Sequence, residues 1–436
     1  MSRVFYRDLR RSYPVIDHGE GIFLFDSTGK RYLDGASGAL VANLGHGRRE
    51  IAEAMAAQAQ RVAFAHTSRF TSAPQEELAE RVARLLPYGL CHLYPVSGGS
   101  EATETAVKLA RQFHLESGQP ARHKVLTAWS SYHGNSLGAL AASGHLARRR
   151  PHLPLLSPAF EHFEPPRESC QDAPEGGSCP CLSALARAIE RADPSSVAAI
   201  ILEPVSGSAA SGRVPHPGYL KGVRRLADEY GILLVADEVM TGFGRTGEII
   251  GMVHSGVAPD LITCAKGLSG GYAPLGAVVC GERVYRAFAE GSGRFAHGFT
   301  YSGHPVACAA GARALKILEE EQLVDNARRM GEMLRSGLES LGDRHPIIRR
   351  VRGVGLMQGL VLEEGVRPGA NAAALANAAF AEGLIVYPGS GGASSTTGDH
   401  LLVAPPLVIR EGEVDQLLSL LDEALGRLAE IVSHAG

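Results

Sequence analysis

The chain has 436 residues, of which 45% are hydrophobic and 20% charged, with 52 glycines and a formal net charge of −3. This length suggests two domains, and the composition is that of an ordinary globular protein. The near-neutral charge does not favour binding to nucleic acid or to an anionic membrane. No apolar run is long enough to span a membrane, so a cytoplasmic location is the default expectation.

The two ends of the chain predict a smaller domain. Residues 21–34 are typical of two strands around a Ser-Thr-Gly turn. The C-terminal part predicts a helical stretch, two strands and a final amphipathic helix, over residues 311–342, 354–362, 384–387 and 411–432. We expect residues 1–60 and 311–436 to meet in one small α+β domain.

The middle of the chain, residues 61–310, predicts a large α/β domain. Its apolar runs are continuous rather than alternating, which is typical of strands covered on both faces in a parallel sheet. The clearest runs are Val197–Leu202, Ile232–Ala236, Leu261–Cys264 and Ala277–Cys280, with a helix predicted over Gly218–Tyr230. A mostly parallel, helix-covered sheet is the expected architecture.

Two residues in this region suggest pyridoxal phosphate (PLP) chemistry. Asp237 follows a buried strand, where ligands bind in open parallel sheets, and Lys266 follows the next strand among small and apolar neighbours. A desolvated lysine can form a Schiff base with the aldehyde, and a carboxylate can keep the pyridine nitrogen protonated. The structural alternatives are a carboxylate that caps a turn and a solvated loop lysine.

The segment Ser97-Gly98-Gly99-Ser100 lies between a predicted strand and a predicted helix. Glycine and serine at a helix N-terminus expose amide and hydroxyl groups to an anion, so Gly99 and Ser100 are candidates for a phosphate cup. The alternative is a plain helix cap.

Two further loops carry candidate cofactor contacts. Tyr132, in Ser131-Tyr132-His133-Gly134, is placed to lie over a flat ring, and otherwise is a buried aromatic residue. Thr300, in the loop from Phe299 to Pro305, is a candidate for binding phosphate, although nothing in the pattern selects it over Ser302.

Taken together, these motifs resemble the class III PLP-dependent aminotransferases of fold type I, over nearly the whole chain. The resemblance is strongest in Asp237-Glu238-Val239-Met240-Thr241-Gly242-Phe243-Gly244-Arg245-Thr246-Gly247, followed by Lys266 at the family's spacing. It also includes segments near residues 34–46, 97–102, 132–134, 202–205, 299–305 and 404–407.

The resemblance implies roles for individual residues. Lys266 would be the Schiff-base lysine and then the base of the proton shift, and Asp237 would pair with the pyridine nitrogen. The other implied cofactor contacts are Tyr132 and Val239 on the ring faces, Gly99 and Ser100 at the phosphate, and His133 and Glu203 close to the ring. The family also implies a homodimer with shared active sites, in which Thr300 reaches the partner's phosphate. A tetramer of two dimers is left open.

The chain departs from its relatives where substrates bind. Leu402 and Ser208 stand where the 2-oxoglutarate-linked members have an arginine and a glutamate, which disfavours those subgroups. The rest is similar to the amine:pyruvate, or omega-transaminase, branch. That branch commonly has an arginine upstream, where this chain has Ser394-Ser395-Thr396-Thr397. Arg69 and Arg410 are candidate substitutes. The alternatives are that the acceptor carboxylate binds weakly or that the acceptor is an aldehyde.

Two interpretations are left open in the same region. Leu40 is either part of a roomy apolar substrate pocket or a core position. Cys170, Cys179 and Cys181 are three thiols of a possible metal cluster, and His162 is a candidate for the fourth ligand that a structural zinc site needs. The alternative is an unligated loop, and no metal is expected.

The sequence therefore predicts a PLP-dependent transaminase. It would move an amino group from a primary amine or omega-amino compound to a 2-oxo acid, most simply pyruvate, by a ping-pong mechanism. The alternatives within the family are a 2-oxoglutarate-linked aminotransferase, a racemase, an aminomutase or a decarboxylase. A catalytically idle protein of the same fold is a further alternative.

Overall fold

The computed structural model describes residues 3–166, 180–365, 369–389 and 398–434. The strands are β1 (Ile16–Glu20), β2 (Phe23–Asp26), β3 (Arg31–Asp34), β4 (Leu90–Val96), β5 (Lys124–Ala128), β6 (Phe160–Phe163), β7 (Val197–Leu202), β8 (Leu233–Asp237), β9 (Leu261–Cys264), β10 (Gly276–Gly281), β11 (Ile348–Val354), β12 (Met357–Leu362), β13 (Leu384–Ile385), β14 (Tyr387–Gly389) and β15 (His400–Val403).

The helices are α1 (Ser37–Leu40), α2 (Arg49–Arg61), α3 (Ala73–Leu85), α4 (Gly99–Glu116), α5 (Leu137–Ala142), α6 (Leu146–Arg149), α7 (Pro180–Ala192), α8 (Pro217–Tyr230), α9 (Glu282–Glu290), α10 (Pro305–Glu320), α11 (Leu323–Arg344), α12 (Ala370–Ala381) and α13 (Glu411–His434). Short 3-10 turns cover Arg150–Leu155, Pro194–Ser196, Gly251–Ser255 and Lys266–Leu268. No helix of the described residues is both long and apolar enough to cross a membrane.

The central sheet has seven strands in the order β4-β10-β9-β8-β7-β5-β6. Strands β6, β5, β7, β8 and β9 are parallel, whereas β10 pairs antiparallel with both β9 and β4. The mostly parallel sheet predicted from the apolar runs is therefore present. Its antiparallel edge could not be seen in the sequence, because a buried strand has the same apolar run in either direction.

Both faces of the central sheet are covered. Every residue of β7 is buried. Ile200 packs in the large core cluster, and its neighbour Ile201 packs in a second cluster that includes Ala102 and Phe113 of α4. Successive side chains of a strand point to opposite faces, so this division places α4 on one face and the main core on the other.

Two smaller sheets complete the fold. One has the order β1-β2-β3-β13 and joins the beginning of the chain to residues 384–385. The other has the order β11-β12-β15-β14. The strand predicted over residues 384–387 is in fact two short strands in different sheets, and the one predicted over 354–362 is the second half of a hairpin. The domain boundaries at residues 60 and 310 stay a prediction.

Candidate active site

Four candidate residues lie at one edge of the central sheet. Neighbouring parallel strands β5, β7, β8 and β9 all end there. Asp237 is the last residue of β8, and Tyr132, Glu203 and Lys266 come shortly after the other three strands. The carboxyl ends of parallel strands form the usual ligand-binding crevice of an open α/β sheet. The topology therefore brings together residues that are far apart in sequence.

Asp237 is held at the end of β8 by three donors. His133 Nδ1 lies 2.6 Å from Asp237 Oδ2, and Asp237 Oδ1 accepts bonds from Val239 N at 3.0 Å and Thr263 Oγ1 at 3.2 Å. Burial alone would lower the pKa of His133, but its bond to the Asp237 carboxylate and the nearby negative charge raise that pKa overall. The imidazole thus favours its protonated form beside Asp237.

Lys266 begins the short turn after β9 and has a positive φ of 47°. Its side chain keeps some solvent exposure, but the protein surrounds its ammonium group closely. Burial lowers the pKa of Lys266 to about 8, while the charges of Asp237 and Glu203 oppose this shift. A lysine with such a pKa has a substantial population of the neutral, nucleophilic amine near physiological pH.

Glu203 follows β7 and faces the same site. Its carboxylate accepts bonds from Gly207 N at 3.1 Å and Ser206 Oγ at 3.3 Å, with Tyr132 N more distant at 3.4 Å. Burial raises the pKa of Glu203 to about 7, although the charge of His133 acts in the opposite direction. Near neutral pH, Glu203 can therefore carry or release a proton.

The N-terminus of α4 packs closely against this group. A Cβ atom on Gly99 would lie 3.0 Å from Val239 Cγ1, so glycine allows the helix start to approach Val239. Ser100 Oγ accepts a bond from Asn135 N at 3.0 Å, which ties the helix to the loop after Tyr132. The first amide groups of a helix lack partners within the helix and can bind an anion, as the predicted phosphate cup requires.

Tyr132 is partly exposed in the loop that also carries His133. The guanidinium carbon of Arg148, on α6, lies 4.3 Å from the centre of the Tyr132 ring. This distance is within the range of a cation–π contact. Sequence reasoning did not identify Arg148, because a Leu-Ala-Arg-Arg-Arg helix looks like an ordinary solvated surface.

The predicted substrate residues are distributed differently. Leu40 is 1% exposed and packs with Leu402, Val205 and Met357 in a small buried cluster, so its contacts are those of a core residue. Arg410 is exposed and lines a groove with His46 and Phe23. The predicted role of Leu40 and Arg410 in substrate binding stays a prediction.

The remaining candidates lie in exposed loops. Arg69 is exposed, and its backbone N–H bonds to His66 O at 3.0 Å. Thr300 is exposed, whereas Ser302 is buried and its Oγ accepts a 3.3 Å bond from Phe299 N. The two positions therefore differ, although the sequence could not distinguish them: Thr300 is exposed, and the Ser302 hydroxyl is bonded within its own loop.

Two buried charged residues had no role assigned from the sequence. Arg245 is 0% exposed and donates bonds to Leu356 O, Pro405 O and the side chains of Ser37 and Asn43. Glu238 accepts bonds from Gly251 N at 2.7 Å and Met252 N at 2.9 Å, and burial raises its pKa to about 7. For Arg245, the sequence feature that could have indicated a special role is its position in the glycine-rich segment 242–247.

Parts of two predictions lie outside the described residues. They concern Cys170 and Cys179 of the thiol group, and the Ser394–Thr397 segment where relatives carry an arginine. Cys181 itself is buried in α7. Leu402, at the position of the other family arginine, is 0% exposed and carries no charge.

The described residues fit PLP. A carboxylate offers about four acceptor positions, and Asp237 uses three of them within the described part of the chain, which leaves capacity for one more donor such as a pyridinium N–H. Lys266 supplies the amine that an aldehyde requires. The start of α4 provides the matching anion site, and the Tyr132 ring provides a flat surface.

Comparison with known proteins agrees with this geometry. The model of the class III aminotransferase family matches residues 6–425, so the chain belongs to this family. Class III aminotransferases use PLP, and the chain is accordingly a PLP-dependent aminotransferase of fold type I. The predicted family, enzyme class, cofactor and fold class are thereby confirmed.

Three relatives illustrate the range of the family. The chain is 35% identical to the diaminobutyrate–2-oxoglutarate transaminase of Halomonas elongata, with 97% of this chain and 92% of that protein covered. It is 33% identical to the putrescine–pyruvate aminotransferase of Pseudomonas aeruginosa, with 96% and 91% covered. It is 39% identical to the (S)-enantioselective omega-transaminase of Thermomicrobium roseum, whose crystal structure superposes with a TM-score of 0.88, with 96% and 94% covered.

Proposed function

We propose that this aminotransferase moves an amino group from a primary amine or an omega-amino compound to a 2-oxo acid, with pyruvate as the acceptor. The observation that carries the transamination chemistry is the position of Lys266, with its lowered pKa, at the same sheet edge as buried Asp237. The choice of substrates rests on the uncharged position Leu402.

Lys266 would hold the cofactor through its amine and, once freed, carry a proton to and from the substrate carbon at Nζ. Its pKa of about 8 lets the amine lose and regain a proton near neutral pH. When bound, PLP supplies an electron sink that stabilises negative charge at the substrate carbon. A single lysine can thus serve first as nucleophile and then as general base.

Asp237 would pair with the ring nitrogen and keep it protonated. His133 holds the carboxylate from the other side at 2.6 Å, so the carboxylate keeps its position when the cofactor leaves. Val239 and Tyr132 would contact the two ring faces, and Gly99 and Ser100 the phosphate. The Glu203 carboxylate accepts a bond from the backbone N of Tyr132 and would thereby position the Tyr132 ring.

The choice of pyruvate as the acceptor rests on the number of substrate carboxylates that the site can bind. A 2-oxoglutarate molecule has two carboxylates and needs two cationic or strong donor sites, whereas pyruvate has one. Leu402 is fully buried among apolar side chains and cannot act as such a site. This favours a monocarboxylate acceptor, as in the putrescine–pyruvate relative.

The diaminobutyrate–2-oxoglutarate relative makes the dicarboxylate the second candidate. That reaction would need another carboxylate site to replace the one absent at Leu402. Comparing pyruvate with 2-oxoglutarate as acceptor for the same amine separates the two candidates.

We also propose a homodimer with shared active sites. The exposed position of Thr300, beside the inward-turned Ser302, supports a contact between Thr300 and the partner's phosphate site. A cytoplasmic location and a possible tetramer stay predictions.

The visible spectrum of the purified protein tests this function directly. Loss of the yellow band on addition of 1-phenylethylamine, and its return with pyruvate, is the expected result. The Lys266→Ala variant serves as the control that should not complete this cycle. Bleaching by glutamate but not by the amine would overturn the substrate assignment, and a racemase would not accumulate the bleached form with donor alone.

A further inference from the structure

Arg148 presents a positive charge beside the candidate active site. Its guanidinium carbon lies 4.3 Å from the centre of the Tyr132 ring, and its side chain is half-buried. Within the part of the chain that the structure describes, no carboxylate lies within ion-pair distance of Arg148 and no acceptor takes a bond from its guanidinium. An arginine in such a place has all its donors available for a ligand.

The neighbouring Arg149 provides a contrast on the same helix. Its Nη1 donates to the carbonyl groups of Leu140, Ala141 and Ser143 at 2.6 to 3.0 Å, and it is 9% exposed. Arg149 therefore holds the loop before α6 in place. Arg148 has none of these bonds and faces Tyr132 instead, so a structural role explains Arg149 but not Arg148.

Arg148 also acts on Lys266 through its charge. Burial is the main cause of the lowered pKa of Lys266, and the positive charges of Arg245 and Arg148 contribute in the same direction. The guanidinium thus lies within electrostatic reach of the reacting amine.

We infer that Arg148 binds the single carboxylate of the 2-oxo acid substrate, the role for which the sequence offered Arg69 and Arg410 as candidates. This inference rests on the proposed function. A guanidinium matches a carboxylate with two parallel hydrogen bonds, and stacking on Tyr132 restricts the orientation of its plane. Through this contact, Arg148 would favour acceptors that carry a carboxylate.

The same placement explains how one pocket accepts amines without a carboxylate. A fully buried, unpaired guanidinium would be costly when such an amine binds. Arg148 keeps part of its surface in water and has the Tyr132 face as a partner, so it stays stabilised without an anion.

The test compares an acceptor that carries a carboxylate with an aldehyde that has none. Pyruvate and propanal are used as acceptors for 1-phenylethylamine, with the holoenzyme and the variants Arg148→Ala, Arg148→Lys and Arg150→Ala. Arg150 is the matched control, because it is an exposed arginine two positions away. Melting temperature and bound cofactor are measured for each variant, so that misfolding is recognised.

For Arg148→Ala we expect kcat/KM for pyruvate to fall by about 10- to 100-fold, the effect of losing a charge-assisted hydrogen-bonded pair. The loss should lie mainly in KM, and kcat/KM for propanal should change much less, because propanal has no carboxylate for Arg148 to bind. Arg148→Lys should recover part of the pyruvate activity, and Arg150→Ala should resemble the parent enzyme. Inhibition by propanoate against propanal should weaken in Arg148→Ala by a similar factor.

Other results have distinct meanings. Equal losses with pyruvate and propanal, or no loss with either, would overturn the role of Arg148 while leaving the amine:pyruvate function intact. A parent enzyme that accepts propanal but no 2-oxo acid would overturn the inference and the proposed acceptor together. A parent enzyme that does not react with the amine at all would refute the proposed function first.

Discussion

Two buried charged residues, Asp237 and Arg245, lie close together in sequence and are used in different ways. Asp237 is 4% exposed and faces His133, a group that can carry the opposite charge. Arg245 is 0% exposed and donates its bonds to neutral oxygen atoms, and burial lowers its pKa to about 9. The partners of Asp237 come from the central sheet and from the loops that follow its strands, and those of Arg245 come from both ends of the chain.

This difference distinguishes Asp237, which can bind a ligand, from Arg245, which connects distant segments of the chain. Ser37 and Asn43 lie near the N-terminus, and Leu356 and Pro405 lie in the C-terminal part, so Arg245 holds distant segments together. Neutral oxygen atoms accept bonds from both of its Nη atoms, whereas its Nε has no partner among the described residues. Asp237 instead keeps an acceptor position for a further donor, which is a property of a site that binds and releases a ligand.

The largest expected effect concerns catalysis at the Asp237 site. Lys266→Ala should lower kcat for 1-phenylethylamine and pyruvate by about 10³-fold or more, because both the nucleophile and the proton carrier are lost. Stability should not fall, since a buried ammonium is itself costly. Borohydride reduction followed by peptide mapping should no longer find the cofactor attached to the protein.

Lys221→Ala, at an exposed position of α8, is the matched control and should keep full activity. A Lys266→Ala protein that still turned over at about a tenth of the parent rate would contradict the assignment of the general base.

Arg245→Met should lower stability and leave catalysis unchanged, which is the reverse of the effect expected for Lys266→Ala. Four acceptors lose their donor in a buried place, so the free energy of unfolding should fall by about 3 kcal/mol or more. The enzyme that remains folded should keep its kcat. Urea denaturation and turnover per bound cofactor measure the two quantities. Arg225→Met, at an exposed position of α8, is the control and should change neither stability nor turnover. An unchanged stability in Arg245→Met would contradict the structural role of Arg245.

Asp237→Asn keeps the shape of the side chain and removes its charge. We expect kcat to fall by about 10²-fold, because the ring nitrogen loses its anionic partner. The pKa of His133 should fall as well, since burial then acts without the opposing carboxylate. Selective labelling and NMR titration of the histidines follow that pKa. Asp193→Asn removes an exposed carboxylate as control, and a raised or unchanged pKa of His133 would show that Asp237 does not control it.

The pH dependence of cofactor uptake gives the smallest effect. A lysine with a pKa lowered from 10.5 to about 8 loses its proton as pH rises through 8, and only the neutral amine attacks an aldehyde. The rate of PLP uptake by the apoprotein should therefore rise about tenfold per pH unit below 8 and level off above it. Stopped-flow absorbance measures this rate. A rate still rising tenfold per unit at pH 9.5 would show a solvated lysine.

The sequence allowed much of the candidate site to be predicted. Asp237 and Lys266 were identified because each follows an apolar run at a strand end, and the structure places both at one sheet edge. Strand β7 was predicted with its observed limits, since a buried parallel strand leaves an uninterrupted apolar run. The roles of these residues at the cofactor remain predictions for the experiments above.

Other features left no local signal. The direction of β10 and the division of residues 384–389 between two sheets depend on contacts with strands far away in sequence. The sequence could not show that Arg245 connects distant segments, because its four partners are spread from Ser37 to Pro405. Arg148 looked like a surface residue, and only its position over Tyr132 distinguishes it from Arg150.

The sequence by itself determined the family, the cofactor and the strand-end positions of the chemically active residues, because these depend on local residue type and spacing. Only the tertiary structure decided which charges are paired and which are left for a ligand. The reason is physical: the fate of a charge depends on its burial and on partners brought close by folding, and neither quantity is contained in its sequence neighbours.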